Sequence, residues 1–238
     1  MRNMKSFAAL AVLAVTVQST AAAQTQFYNG DADGGSGYSS EMNTVMAGGF
    51  TSYVYENYTV TGAGMTVTGL FGNYFQTGSN VLSWTSAAWE IRSGMSDGNG
   101  GSLLFSGTTS ASATATGQFA FGGQIYTAAV GGLSLFLPAG EYWFAVSPVR
   151  AESNQIFLAS AGGTSGVNAN LDGLAFQHMP IAGINYDADA TSGFNFSIGV
   201  EGRLADPSAT VPEPATMTLL ATGLAGLAGA RRRKRTNA

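Results

Sequence analysis

Cysteine is absent from the 238 residues, and histidine occurs once, at position 178. The first absence excludes disulfides, thiol nucleophiles and Cys-ligated zinc or iron–sulfur centres. The second excludes histidine-rich metal sites and leaves any Ser-His-Asp triad resting on His178 alone. That residue lies in Gln177-His178-Met179-Pro180, beside a proline, and is expected in a loop. Charge is also scarce, at 10% of residues against the ~25% of ordinary soluble domains. Of the ten lysines and arginines, two lie in the first five residues and five in residues 231–235. The body between them, up to residue 210, keeps Arg92, Arg150 and Arg203 against thirteen acids, all of the fourteen but Glu213, a balance of about −10. Such a body repels a phosphate backbone, which excludes nucleic acid as a partner, and it keeps copies soluble and mutually repelling.

Helical periodicity is missing as well. No 3.6-residue apolar stripe runs between residues 24 and 210, where Gly, Ser, Thr and aromatics dominate. Strand patterns are there instead. Apolar and hydroxyl residues alternate through Met65-Thr66-Val67-Thr68-Gly69-Leu70-Phe71. Phe194, Phe196, Ile198 and Val200 alternate with Asn195, Ser197, Gly199 and Glu201. Residues 133–137 and 141–146 flank Pro138-Ala139-Gly140 and read as a hairpin. Its second arm places Tyr142, Phe144 and Val146 on one face and Glu141, Trp143 and Ala145 on the other. Glycines at short intervals punctuate these runs, as tight turns between many short strands require. The expected fold is all-β, an antiparallel two-sheet sandwich of jelly-roll type. Residues 106–117, all small apart from their hydroxyls, are expected as an edge strand or a loop.

The two ends differ from this body. Arg2 and Lys5 precede an apolar run over residues 7–17, too short to span a membrane, and Ala21-Ala22-Ala23 offers a small-residue cleavage site before Gln24. That order is expected of a secretory signal peptide. At the other end, Val211-Pro212-Glu213-Pro214 leads into residues 215–230, which carry no charge, and then into Arg231-Arg232-Arg233-Lys234-Arg235. As a helix the apolar run reaches about 24 Å, near the ~30 Å of a hydrocarbon core, and flanking arginines can snorkel to close the gap. The basic cluster is a stop-transfer signal that stays cytoplasmic. The prolines bar the helix from extending upstream and hold Glu213 in an extended segment. Taken alone, these residues also fit a plain C-terminal membrane anchor. The expected division is a signal peptide (1–23), a β-sandwich (24–206), a linker (207–210) and a sorting and anchor segment (211–238).

The C-terminal order of Pro212-Glu213-Pro214, apolar helix and arginine cluster resembles the PEP-CTERM sorting tail. The resemblance implies recognition by an exosortase after passage through the secretion machinery. The chain would be held transiently at the inner membrane, cut near the tripeptide, and released to the cell surface or exterior. Val211, Pro212, Glu213 and Pro214 would be recognition residues and not catalysts. The segments 53–60, 89–94 and 137–143 also resemble sandwich domains that precede such tails. The implied setting is a biofilm or exopolysaccharide matrix, with extracellular polysaccharide as a partner.

Within the body, Asp31-Ala32-Asp33-Gly34-Gly35-Ser36-Gly37 has the alternating acids and glycines of a calcium loop, but its twelfth position is not a glutamate. Asp187 and Asp189 would complete a site if the first and last strands lie together. Structural calcium is therefore the one cofactor considered; none is otherwise expected. Glu56, Glu90, Glu141, Glu152 and Glu201 are carboxylates of the type a glycoside hydrolase uses in pairs, yet no spacing pairs them. Glu90 and Arg92, two apart on a strand, are expected as an ion pair. Trp89 is expected in the core with Ile91, whereas Trp143, on the face opposite Tyr142 and Phe144, is the candidate for sugar contact. The sequence thus points to an exported, non-enzymatic all-β surface protein, with a lectin-like module and a secreted hydrolase as alternatives.

Overall fold

Alternating apolar residues force each strand to bury one face, and two sheets stacked on those faces satisfy all of them at once. The structure, a computed structural model, describes residues 22–205 apart from Asn80 and Ser192. The signal-peptide run, Ala21 and the whole sorting segment lie outside the described residues. Described residues form fourteen strands and three short 3-10 turns.

One seven-stranded sheet is built on β5 (Met65–Phe75). One edge of β5 pairs with β9 (Gly123–Leu137), which pairs in turn with β8 (Ala113–Ala120). Its other edge is shared by β14 (Ile198–Leu204) and β11 (Phe157–Ala161). Beyond these lie β1 (Gln24–Tyr28) and β2 (Ala32–Ser39) respectively. The second seven-stranded sheet is built on β4 (Phe50–Val60) and β10 (Gly140–Arg150). Outside β4 lie β12 (Ala175–Met179) and β13 (Ile184–Asp187); outside β10 lie β6 (Ser86–Ser93) and β7 (Ser102–Ser110). The three-residue β3 (Glu41–Asn43) wedges between β4 and β10 and makes a parallel pairing with β10.

Phe27, Tyr58, Val67, Leu70, Phe144, Val146, Ile198 and Val200 belong to the core between the sheets. The Phe27 ring meets Phe144 edge-on at 5.6 Å and Tyr58 at 5.0 Å, so strands of both sheets close on one aromatic. The Tyr74 hydroxyl also crosses the core and donates to the Val146 carbonyl. Phe196, Ile198 and Val200 all face inward, as their alternation requires. In β5 the alternation breaks once. A bulge between Val67 and Gly69 moves the core-facing position from 69 to Leu70.

The expected hairpin around Pro138-Ala139-Gly140 is a crossover between sheets. β9 belongs to the first sheet and β10 to the second. The corner is held by Tyr142, whose hydroxyl donates to the Pro138 carbonyl at 3.1 Å. His178 is not in a loop but in β12, where Gln177 and His178 pair with Val54 and Tyr53.

At the wedge, Glu41 and Arg150 are paired at 3.2 Å with both side chains fully buried. Arg150 also donates to Glu152 and to the Asn154 carbonyl, and Glu41 accepts the Ile156 N–H at 3.0 Å. Burial pushes the Glu41 carboxyl above its usual range, against the pull of the Ile156 N–H and Arg150. Removing the cation strands that carboxylate. Arg150→Ala should therefore cost about 3–5 kcal/mol, read as a lowered urea midpoint with an unchanged slope.

Candidate functional site

The outer faces of the two sheets have different fates. On the second sheet, Tyr53, Tyr55, Ala88, Trp143, Ala145 and Phe176 form a further apolar cluster, covered by Met95, Tyr186 and Ala188. Trp143 is only 4% exposed and lies 6.3 Å from the Phe176 ring. It presents no face to a sugar, because the segments after β6 and β12 fold back over a face that a simple sandwich leaves wet. This corrects the sugar-contact expectation for Trp143. Trp89 is in the inter-sheet core with Ile91, and its indole N–H donates to Thr109 at 2.9 Å. Glu90 and Arg92 pair at 2.6 Å under the same cover, with Arg92 lying over the rings of Tyr55 and Tyr186. His178 stacks on Tyr186 at 4.1 Å and its Nδ1 has no partner among the described residues, so no Ser-His-Asp chain runs through that nitrogen. Burial and Arg92 both pull His178 below its ordinary value.

The outer face of the first sheet is covered at one end, where Phe75, Ala120, Ile125 and Ala159 are buried together, and is open beside that cluster. A groove of about 360 Å³ runs between β1 and the β8–β9 hairpin, across β5 and β14. Its floor is Phe71, and register explains how the ring can lie across β14. Phe71 is paired with Gly199 of β14, and a Cβ at 199 would approach the ring to 2.3 Å. Tyr28 of β1 flanks Phe71 at 5.3 Å. Beside the rings, the Asn73 side chain is fixed by three groups. Its carbonyl accepts from Thr127 at 2.6 Å, and its amide donates to Ser197 at 2.8 Å and to Tyr28 at 2.9 Å. The Tyr28 hydroxyl in turn donates to Asp31 at 2.9 Å. Burial, with Asp31 adding to it, pushes that hydroxyl up to about 12, so it stays protonated at neutral pH. Thr25, Gln118 and Glu201 form the rim. The groove thus combines an aromatic floor, oriented hydrogen-bonding groups and two acids, and no cation among the described residues lines it.

The acids expected to bind calcium are divided between sheets. Asp31 is held by Tyr28, and Asp33 accepts from Ser160 at 2.6 Å in the first sheet. Asp187 ends β13 in the second sheet, where it caps the turn at Asp189 by accepting the Ala190 N–H. β1 and β14 do lie side by side, but Asp187 and Asp189 belong to neither. Among the described residues no three such side chains converge on a metal position. The four-aspartate calcium site is withdrawn on that ground.

Residues 210–234 match the family model of the PEP-CTERM protein-sorting motif. The chain carries a PEP-CTERM sorting signal. No curated protein matches the chain. The PEP-CTERM motif indicates a surface protein sorted by an exosortase, exported with a membrane-anchored C-terminal signal.

In the body of this PEP-CTERM protein the carboxylates with close neighbours have structural partners. Asn57 donates one amide to both Glu141, at 3.2 Å, and Asp172, at 3.0 Å. Glu152 is held by Arg150 and by Ser83. Glu56 is fully buried; one oxygen accepts the Phe196 N–H at 2.7 Å and the other has no partner among the described residues. Desolvation lifts the Glu56 carboxyl well above its usual range, against the pull of the Phe196 N–H and with Asp172 adding to the rise. An acid raised in the folded state stabilises fully below its unfolded value and loses that contribution as pH climbs through the folded value. Stability should therefore fall above about pH 4.5 by at most ~1.4 kcal/mol per pH unit from this group. Glu56→Gln keeps an acceptor for Phe196 and should flatten that decline, measured as urea midpoints from pH 4 to 8.

Proposed function

We propose that the chain is an exported, non-enzymatic surface protein whose β-sandwich serves an exopolysaccharide-rich matrix. The observation that carries this reading is the PEP-CTERM motif at residues 210–234. The body supports it. Its closely held acids are bound by main-chain N–H groups, amides or arginines, and its histidine stacks on a tyrosine. None of these has the nucleophile–base–orienter geometry of a hydrolase. Mass spectrometry of the surface form from the exporting host tests the sorting. The expected protein starts at Gln24 and ends near Pro212-Glu213-Pro214. Recovery of residues 231–238 on the surface form would overturn the proposal.

A second reading, a carbohydrate-binding surface module, is favoured by the groove over Phe71. A flat ring beside fixed amide and hydroxyl groups suits a sugar's apolar face and its ring of hydroxyls. Asp31 and Glu201, with no cation in the lining, select neutral glycans over polyanionic ones. In affinity electrophoresis, neutral polysaccharide should retard the protein and polyuronate should not. Phe71→Ala should weaken that retardation about tenfold, the equivalent of a ~1.4 kcal/mol ring contact. Indifference of the unaltered protein to every polysaccharide would sink this second reading and leave the sorting untouched.

A further inference from the structure

From residue 98 to residue 140 the chain has no charged side chain; Asp97 and Glu141 bound the stretch. Three strands come from it: β7, β8 and β9. β9 is interior, but β7 is the last strand of the second sheet and β8 the last of the first. Two residues, Ala111 and Ser112, join them, so both edges lie on one side of the sandwich. Both edge strands present main-chain groups that no neighbouring strand pairs among the described residues, and neither strand carries a charged side chain.

Other edges are protected in recognised ways. β13 is four residues long and ends in Asp187. β2 carries Asp33 and three glycines and has an irregular register. β1 is covered by the loop between β11 and β12, where Tyr28 bridges to Val167 and Asn168 donates to the Gln26 carbonyl. β7 has no such protection. From Phe105 to Ser110 its pairing with β6 is regular, and among the described residues no other strand pairs with it. Its inward positions, Phe105, Gly107 and Thr109, are half-buried against the core or Trp89, while Ser106, Thr108 and Ser110 are exposed. Leu103 and Leu104 at its start are exposed as well.

We infer that β7 is the contact strand of a homodimer, pairing edge to edge with β7 of a second copy. Main-chain groups in a strand edge are satisfied by another strand, which fixes the shape of the partner. Charge fixes its identity. With a balance of about −10 on the body, two copies repel each other over every charged face. The uncharged side is where they can meet, and the same side of a second copy supplies an edge equally free of charge. Because β7 and β8 share that side, a two-fold axis closes the assembly at two copies and does not propagate a fibre.

The full chain in detergent and its Thr108→Lys variant test this by size exclusion with light scattering and by hydrogen exchange. The unaltered chain should reach twice its monomer mass as concentration rises. Exchange at residues 102–110 should slow in step with the change in mass. Added salt should strengthen the association, because it screens repulsion between bodies and weakens no ion pair at the contact. Thr108→Lys, an exposed position at the edge, should restore the monomer mass with its melting midpoint unchanged. Monomer at every concentration would overturn the inference. So would a dimer in which residues 102–110 exchange as they do in the monomer, a measurement that needs no variant.

Discussion

A body with three arginines cannot neutralise its acids by ion pairing, and much of the structure follows from that shortage. Arg150 serves Glu41 and Glu152 together, and Arg92 serves Glu90. The other buried acid, Glu56, is left to the Phe196 N–H. Glu141 and Asp172 share the amide of Asn57, and Asp31 takes the hydroxyl of Tyr28. The contacts of Arg150 with Glu41, of Phe196 with Glu56, and of Asn57 with Glu141 and Asp172 tie segments distant in sequence. Asparagine, tyrosine and the main chain do the work that lysine and arginine do in more highly charged domains.

This substitution has a spatial consequence. Polar side chains that satisfy acids are drawn to the ends of the sandwich, to the wedge of β3, and to the outer face of the first sheet. The outer face of the second sheet is given over to aromatics and covered. Residues 98–140 contribute neither acid nor cation, and they supply an edge strand of each sheet.

The all-β class and the inward faces of β10, β14 and β5 as far as its bulge were legible in the sequence, because a period of two is a local property. What failed was what depends on long-range placement. Tyr142, Phe144 and Val146 do face away from Trp143 and Ala145. The alternation could not say that both faces would be buried, which needs knowledge that Tyr186 and Phe176 return from more than thirty residues later. A turn at Pro138-Ala139-Gly140 reads the same whether the next strand pairs with the last or crosses to another sheet. The groove was missed for a related reason. Phe71 and Gly199 are each visible as alternating positions, but their opposition exists only in the register of β5 with β14. The sorting motif lay open in the sequence because its parts are contiguous and recognition of an extended tripeptide needs no fold.

β14 has β5 on one edge and β1 on the other, and Gln24 pairs with Gly202. The first and last described strands therefore meet at one pole of the sandwich, and a tether attached beyond Leu204 pulls along the axis of β14. Load applied in that direction shears two ladders of hydrogen bonds at once and cannot peel them open one at a time.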